Sequence, residues 1–120
     1  IAYAKVQNQQ GEFVEPTSTS ISAAASGDIP ADTRCSITNS DAQGAYPIST
    51  FTWMIVYKEQ NYSDRSKEQA IATLDLLKYI LSDEAQGITS EVHYAPLPEK
   101  AREQSMKNLH TVTYDGVTIL

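Results

Sequence analysis

Gly44-Ala45-Tyr46-Pro47-Ile48-Ser49-Thr50-Phe51-Thr52-Trp53-Met54-Ile55-Val56-Tyr57-Lys58-Glu59-Gln60 is the stretch on which the fold turns. From Ile48 onward it is β-branched and aromatic, alternates through Phe51, Trp53, Ile55 and Tyr57, and becomes apolar on both faces towards its end. Alternation with a period of two marks a strand, and apolar residues on both faces belong to a strand covered on both sides. The stretch therefore predicts a strand in a sheet interior, with Trp53 shielded. Pro47 stands where a proline is tolerated, at the entry to the strand.

On the N-terminal side, Ile1, Tyr3 and Lys5 alternate with Ala2, Ala4 and Val6, and Gly11 precedes Phe13 and Val14. This predicts a hairpin with Gly11 at its tip. Pro16 stops the second strand, the hydroxyls of residues 17–20 offer caps for a short helix over 21–25, and Gly27 ends it. Residues 28–44, rich in Asp, Asn and Ser, read as irregular connection with one brief strand around Ile37.

On the C-terminal side, Ser66-Lys67-Glu68-Gln69 has the spacing of a capping box. The helix it starts carries Ala70, Leu74, Leu77 and Leu81 on one stripe and is expected to end at Gly87. Pro98 and Glu99 suit the start of a last helix, and Lys107 and His110 suit its end. Its apolar stripe of Ala101, Met106 and Leu109 is thin, as on a helix lying on a larger body. Asp115-Gly116 between Val112-Thr113-Tyr114 and Val117-Thr118-Ile119 predicts a closing hairpin. The fold class is thus α/β.

A length of 120 residues predicts one small domain. With 41% hydrophobic and 20% charged residues and no apolar run of bilayer length, the composition is that of a globular domain. The net charge of −6 repels nucleic-acid phosphates and anionic lipid, which argues against nucleic acid as a partner. A single cysteine, Cys35, excludes an internal disulfide and leaves the redox compartment open.

No assembled chemistry is visible. Cys35 has no local motif joining it to His93 or His110 and reads as an inert, partly buried thiol. G-x-S-x-G and a glycine-rich phosphate loop are missing, and two isolated histidines do not make a metal site. His93, beside Tyr94, reads as a packing residue, and Asp83-Glu84 as part of a solvated face. Asn61-Tyr62-Ser63 fits a glycosylation acceptor, a pattern common by chance. Catalytic, metal and cofactor sites are therefore expected to be absent.

The central stretch, with its "AYPI", "TW" and "VYK-x-Q" elements, resembles the signature of the PstS-type periplasmic phosphate-binding proteins. So do Ala4-Lys5-Val6-Gln7-Asn8 with Gly11-Glu12-Phe13-Val14-Glu15-Pro16-Thr17 before it, and Leu76-Leu77-Lys78-Tyr79 with Tyr94-Ala95-Pro96-Leu97-Pro98 after it. The resemblance implies part of a two-lobed, periplasmic-binding-protein-like fold, a mixed sheet flanked by helices. Residues 1–45 would be the end of the second lobe and residues 51–120 the C-terminal part of the first. The lobe crossing, or hinge, would be Tyr46, Pro47, Ile48, Ser49 and Thr50.

The implied function is binding of inorganic phosphate for a membrane permease of an ABC importer, in the periplasm or outside the cell. The family's phosphate ligands lie in its N-terminal part, so no binding residue is carried over, and Arg34, Arg65 and Arg102 are not promoted to that role. A fragment of this kind is not expected to bind phosphate itself, and its missing neighbours would favour self-association. A sulfate- or molybdate-type binding protein, and a free-standing enzyme or interaction domain of similar fold, stay open as alternatives.

Overall fold

The computed structural model describes residues 3–120. Strands β1 (Val6–Gln7) and β2 (Phe13–Val14) form an antiparallel hairpin in which Val6 faces Val14 and Gln7 faces Phe13. Gly11 makes the turn with φ of +80°, a conformation a side chain would strain. Ile1 and Ala2, with which the predicted alternation begins, lie outside the described residues. Helix α1 (Ser18–Ala24) starts in a capping box between Thr17 and Ser20 and stops at Ala25, two residues before the predicted Gly27. Residues 28–44 are irregular as expected, but Ile37 forms no strand; it is buried instead.

Helix α2 (Lys67–Ile80) has the predicted cap: Gln69 N donates to Ser66 Oγ at 3.3 Å and Ser66 N to Gln69 Oε1 at 2.9 Å. It ends at Leu81 and does not reach Gly87. Ser82 accepts from Ala85 N and so restarts the chain as α3 (Asp83–Ile88), which contains Gly87. Asp83 and Glu84 thus lie in a first helical turn, where negative charge is favourable. A 3₁₀ turn (Thr89–Val92) ends at His93, which is exposed with φ of 62°; the expected packing role fails because the residue terminates a helix instead. Helix α4 (Glu99–Leu109) follows Pro98, and β3 (Thr113–Tyr114) pairs antiparallel with β4 (Val117–Thr118) around Asp115-Gly116.

Two apolar clusters hold these elements. One joins Ala24, Ala25, Ile37 and Ala45, with Phe51 against them. The other joins Leu74, Leu109 and Val112, with Leu77, Leu81 and Met106 around them. Ala70 and Leu74 of α2 and Ala101 and Leu109 of α4 are buried, so the predicted stripes face the interior. Between the two halves, Trp53 Nε1 donates to Thr33 O at 3.1 Å and Gln104 Nε2 to Ala31 O at 3.1 Å.

The strand expected at 48–57 pairs with nothing. Residues 51–57 run without helix, turn or bend and outside any ladder, and the chain is bridged in parallel to Thr113 only at Glu59. Trp53 is 46% exposed and Ile55 94%, so neither is shielded. A strand buries both faces only when neighbouring strands and a covering layer are present, and here the described sheets are two-stranded hairpins. Mixed α/β character is observed; a mixed sheet flanked by helices is not formed among the described residues. The radius of gyration, 17.0 Å, exceeds the roughly 13.5 Å of a compact chain of this length.

Candidate functional site

The segment from Tyr46 to Thr50 is fastened to the N-terminal half. Tyr46 N donates to Ser20 O at 3.0 Å, Asn39 N to Pro47 O at 2.7 Å, and Thr38 Oγ1 to Ser49 O at 3.1 Å. Ser49 is buried, and its Oγ donates to Tyr46 O at 2.7 Å, which holds the bend at Pro47 and Ile48. Ile48 and Thr50 are exposed. Beyond Thr50 the backbone takes no partner in another backbone segment until Lys58 O accepts from Thr113 N at 2.8 Å. Restraint therefore changes abruptly at the end of the predicted crossing, because backbone pairing gives way to side-chain contacts.

Residues not singled out from the sequence anchor the near side. Asn8 is buried; its Oδ1 accepts from the amides of Gln10 and Glu12 at 3.0 Å each, and its Nδ2 donates to Ala45 O at 3.2 Å. Glu12 accepts from Asn8 Nδ2 at 3.0 Å and from Gly44 N at 2.9 Å, and these two bonds, Asn8's first, hold its carboxyl below the usual range. Asparagine just before a glycine turn is a readable signal for a turn-closing side chain. Its reach to Ala45, 37 positions away, has no local signal.

Glu59 closes the far side. Its carboxylate accepts from Asn61 N at 2.8 Å, Thr113 Oγ1 at 2.8 Å, Asp115 N at 3.0 Å and Gly116 N at 3.1 Å. The Asn61 bond leads in holding its pKa at about 2, with the others adding. The Asp115-Gly116 turn, with φ of 52° and 74°, is thereby clasped to the end of the central stretch.

A cavity of about 230 Å³ lies between the halves, lined by Ile29, Phe51, Met54, Leu77, Leu81 and Leu97 among others, with no Lys, Arg or His in its wall. An anion needs donors or positive charge, which this wall does not offer. The three arginines have partners of their own: Arg34 pairs with Asp32 at 2.8 Å, Arg65 donates to Tyr62 Oη at 3.1 Å, and Arg102 pairs with Asp83. Among the described residues no group of three His, Cys, Asp or Glu is placed to hold a metal ion, and Cys35 is a free, half-buried thiol.

No family model and no solved structure matches the chain. Among curated proteins, the phosphate-binding protein PstS of Xylella fastidiosa is 32% identical over 107 residues, covering 87% of this chain and 28% of its own length. The protein of the same name from Methanocaldococcus jannaschii is 31% identical over 105 residues, 80% of this chain and 27% of its own length. That of Pasteurella multocida is 23% identical over 124 residues, spanning 99% of this chain. The chain thus spans little more than a quarter of the length of the first two of these relatives.

Proposed function

Since this chain belongs with the PstS-type phosphate-binding proteins, we propose that it is the C-terminal portion of a solute-binding protein that delivers inorganic phosphate to the membrane permease of an ABC importer. The observation that carries this reading is the identity of 32% maintained over 87% of the chain. The role is binding and transport, without a catalytic step, and its place is the periplasm or the cell exterior. Phosphate is held by residues beyond these 120. The apolar wall of the cavity and the internal partners of the three arginines support that division of labour.

In this reading residues 1–45 end one lobe, residues 51–120 complete the other, and Tyr46, Pro47, Ile48, Ser49 and Thr50 cross between them. Two-lobed binders close about the few residues that join the lobes. Two separate apolar clusters, and the loss of backbone pairing beyond Thr50, support a joint at this place.

Isothermal titration tests the proposal on two polypeptides. The 120-residue chain should give no saturable isotherm with phosphate, whereas a polypeptide extended to the relatives' length should bind phosphate and ignore sulfate. Saturable phosphate binding by the 120 residues alone, or indifference of the longer polypeptide to phosphate, would refute it.

A further inference from the structure

Neither the packing nor the phosphate reading accounts for the stretch from Phe51 to Tyr57. None of its seven backbone amides donates a hydrogen bond, and of its carbonyls those of Phe51 and Tyr57 accept only from the side chains of Thr50 and Gln60. Both edges of the segment are open. Met54, Ile55 and Tyr57 are exposed, and no charge occurs between Pro47 and Lys58. Exposed strand edges ordinarily carry a lysine, a proline or a bulge against association, and within 51–57 there is none.

We infer that Phe51–Tyr57 is a strand-addition site whose occupant is the same stretch of a second copy of this chain, in a two-fold antiparallel pair centred on Met54. The sequence is complementary to itself in that register. Phe51 faces Tyr57, Trp53 faces Ile55 and Thr52 faces Val56, which puts aromatic–aromatic and aromatic–β-branched pairs on one face. Lys58 comes opposite Thr50, so no like charges meet. Two-fold pairing uses one patch twice and closes, where a one-way contact would propagate.

The area suffices. The chain exposes 8049 Å², roughly 1,600 Å² more than a compact protein of its size. A stable interface takes about 800 Å² from each partner. With a net charge of −6 on each copy, added salt should strengthen the pair by screening. The inference is independent of the phosphate reading.

Sedimentation of the 120-residue chain over a micromolar to hundred-micromolar series should show the mass doubling, more readily at high salt. Ile55→Lys should weaken the dimer about tenfold or more. Its circular dichroism should not change, because Ile55 is 94% exposed and supports nothing within its own chain. With Cys35 replaced by Ser, Met54→Cys should oxidise to a linked dimer, since residues facing each other across a ladder lie within disulfide reach. Thr52→Cys, which faces Val56, should not. A monomer throughout, a dimer indifferent to Ile55→Lys, or equal linkage at 52 and 54 would overturn the inference. So would a polypeptide of the relatives' length that stays monomeric with the amides of 52–56 protected from exchange, since the occupant would then be another part of that polypeptide.

Discussion

Replacing Leu74 by Ala tests the packing on which the C-terminal half depends. Leu74 is fully buried and forms a cluster with Leu109 of α4 and Val112 before β3, so its side chain joins three elements. Removing three methylene-sized groups from a site closed on all sides loses their transfer energy and leaves a cavity, together about 3–5 kcal/mol. Leu76, two positions along the same helix, is 58% exposed. Leu76→Ala changes helix propensity equally but opens no cavity, so it should cost under about 0.5 kcal/mol. At about 3–5 °C per kcal/mol for a chain of this size, Leu74→Ala should lower the melting temperature by roughly 10–20 °C. Urea unfolding followed by circular dichroism at one fixed protein concentration gives the free energies, with an unchanged slope expected for both variants. If Leu74→Ala costs less than about 1 kcal/mol, or no more than Leu76→Ala, the cluster is not a closed core and the account of this half fails.

Three further outcomes follow from named contacts. Glu59 titrates at about 2, below the ordinary 4.5, so the stability it lends is present above pH 4.5 and is lost as the pH falls from there through 2. Amide exchange at Asp115 and Gly116 should accelerate over that window, and in Glu59→Gln it should be fast already at neutral pH; equal protection in both proteins would remove the clasp. Asn8→Ala strips the buried partner from Ala45 O and from two turn amides, and should cost about 1–3 kcal/mol in urea unfolding. A cost no larger than that of an exposed substitution would show that the crossing is not anchored there. Ser66→Ala removes the acceptor for Gln69 N and should cost about 1 kcal/mol, recovered in large part by Ser66→Asp. An unaffected helix content and melting point would contradict the capping geometry.

Local chemistry was legible in the sequence because it acts over a few residues. The Ser66–Gln69 box, the Gly11 turn and the Asp115-Gly116 hairpin all stand where their residue types require them. The kinship with phosphate-binding proteins was legible too, in the run from Gly44 to Gln60. Local signals were misread where two of them competed: Ser82 restarts the helix before Gly87 is reached, and His93 ends a turn that its apolar neighbour Tyr94 disguised as packing.

What the tertiary structure decided depends on partners distant in the chain. The anchoring of Tyr46, Pro47 and Ser49 rests on Ser20, Asn39 and Thr38, and the clasp of Glu59 on Thr113 and Gly116, 54 and 57 positions away. The fate of the central stretch is the clearest case. Its side chains specify a strand, but a ladder also needs a second backbone within about 5 Å, and no property of residues 51–57 can supply one. Sequence fixes what a segment is suited to pair with; the fold alone decides whether a partner is there.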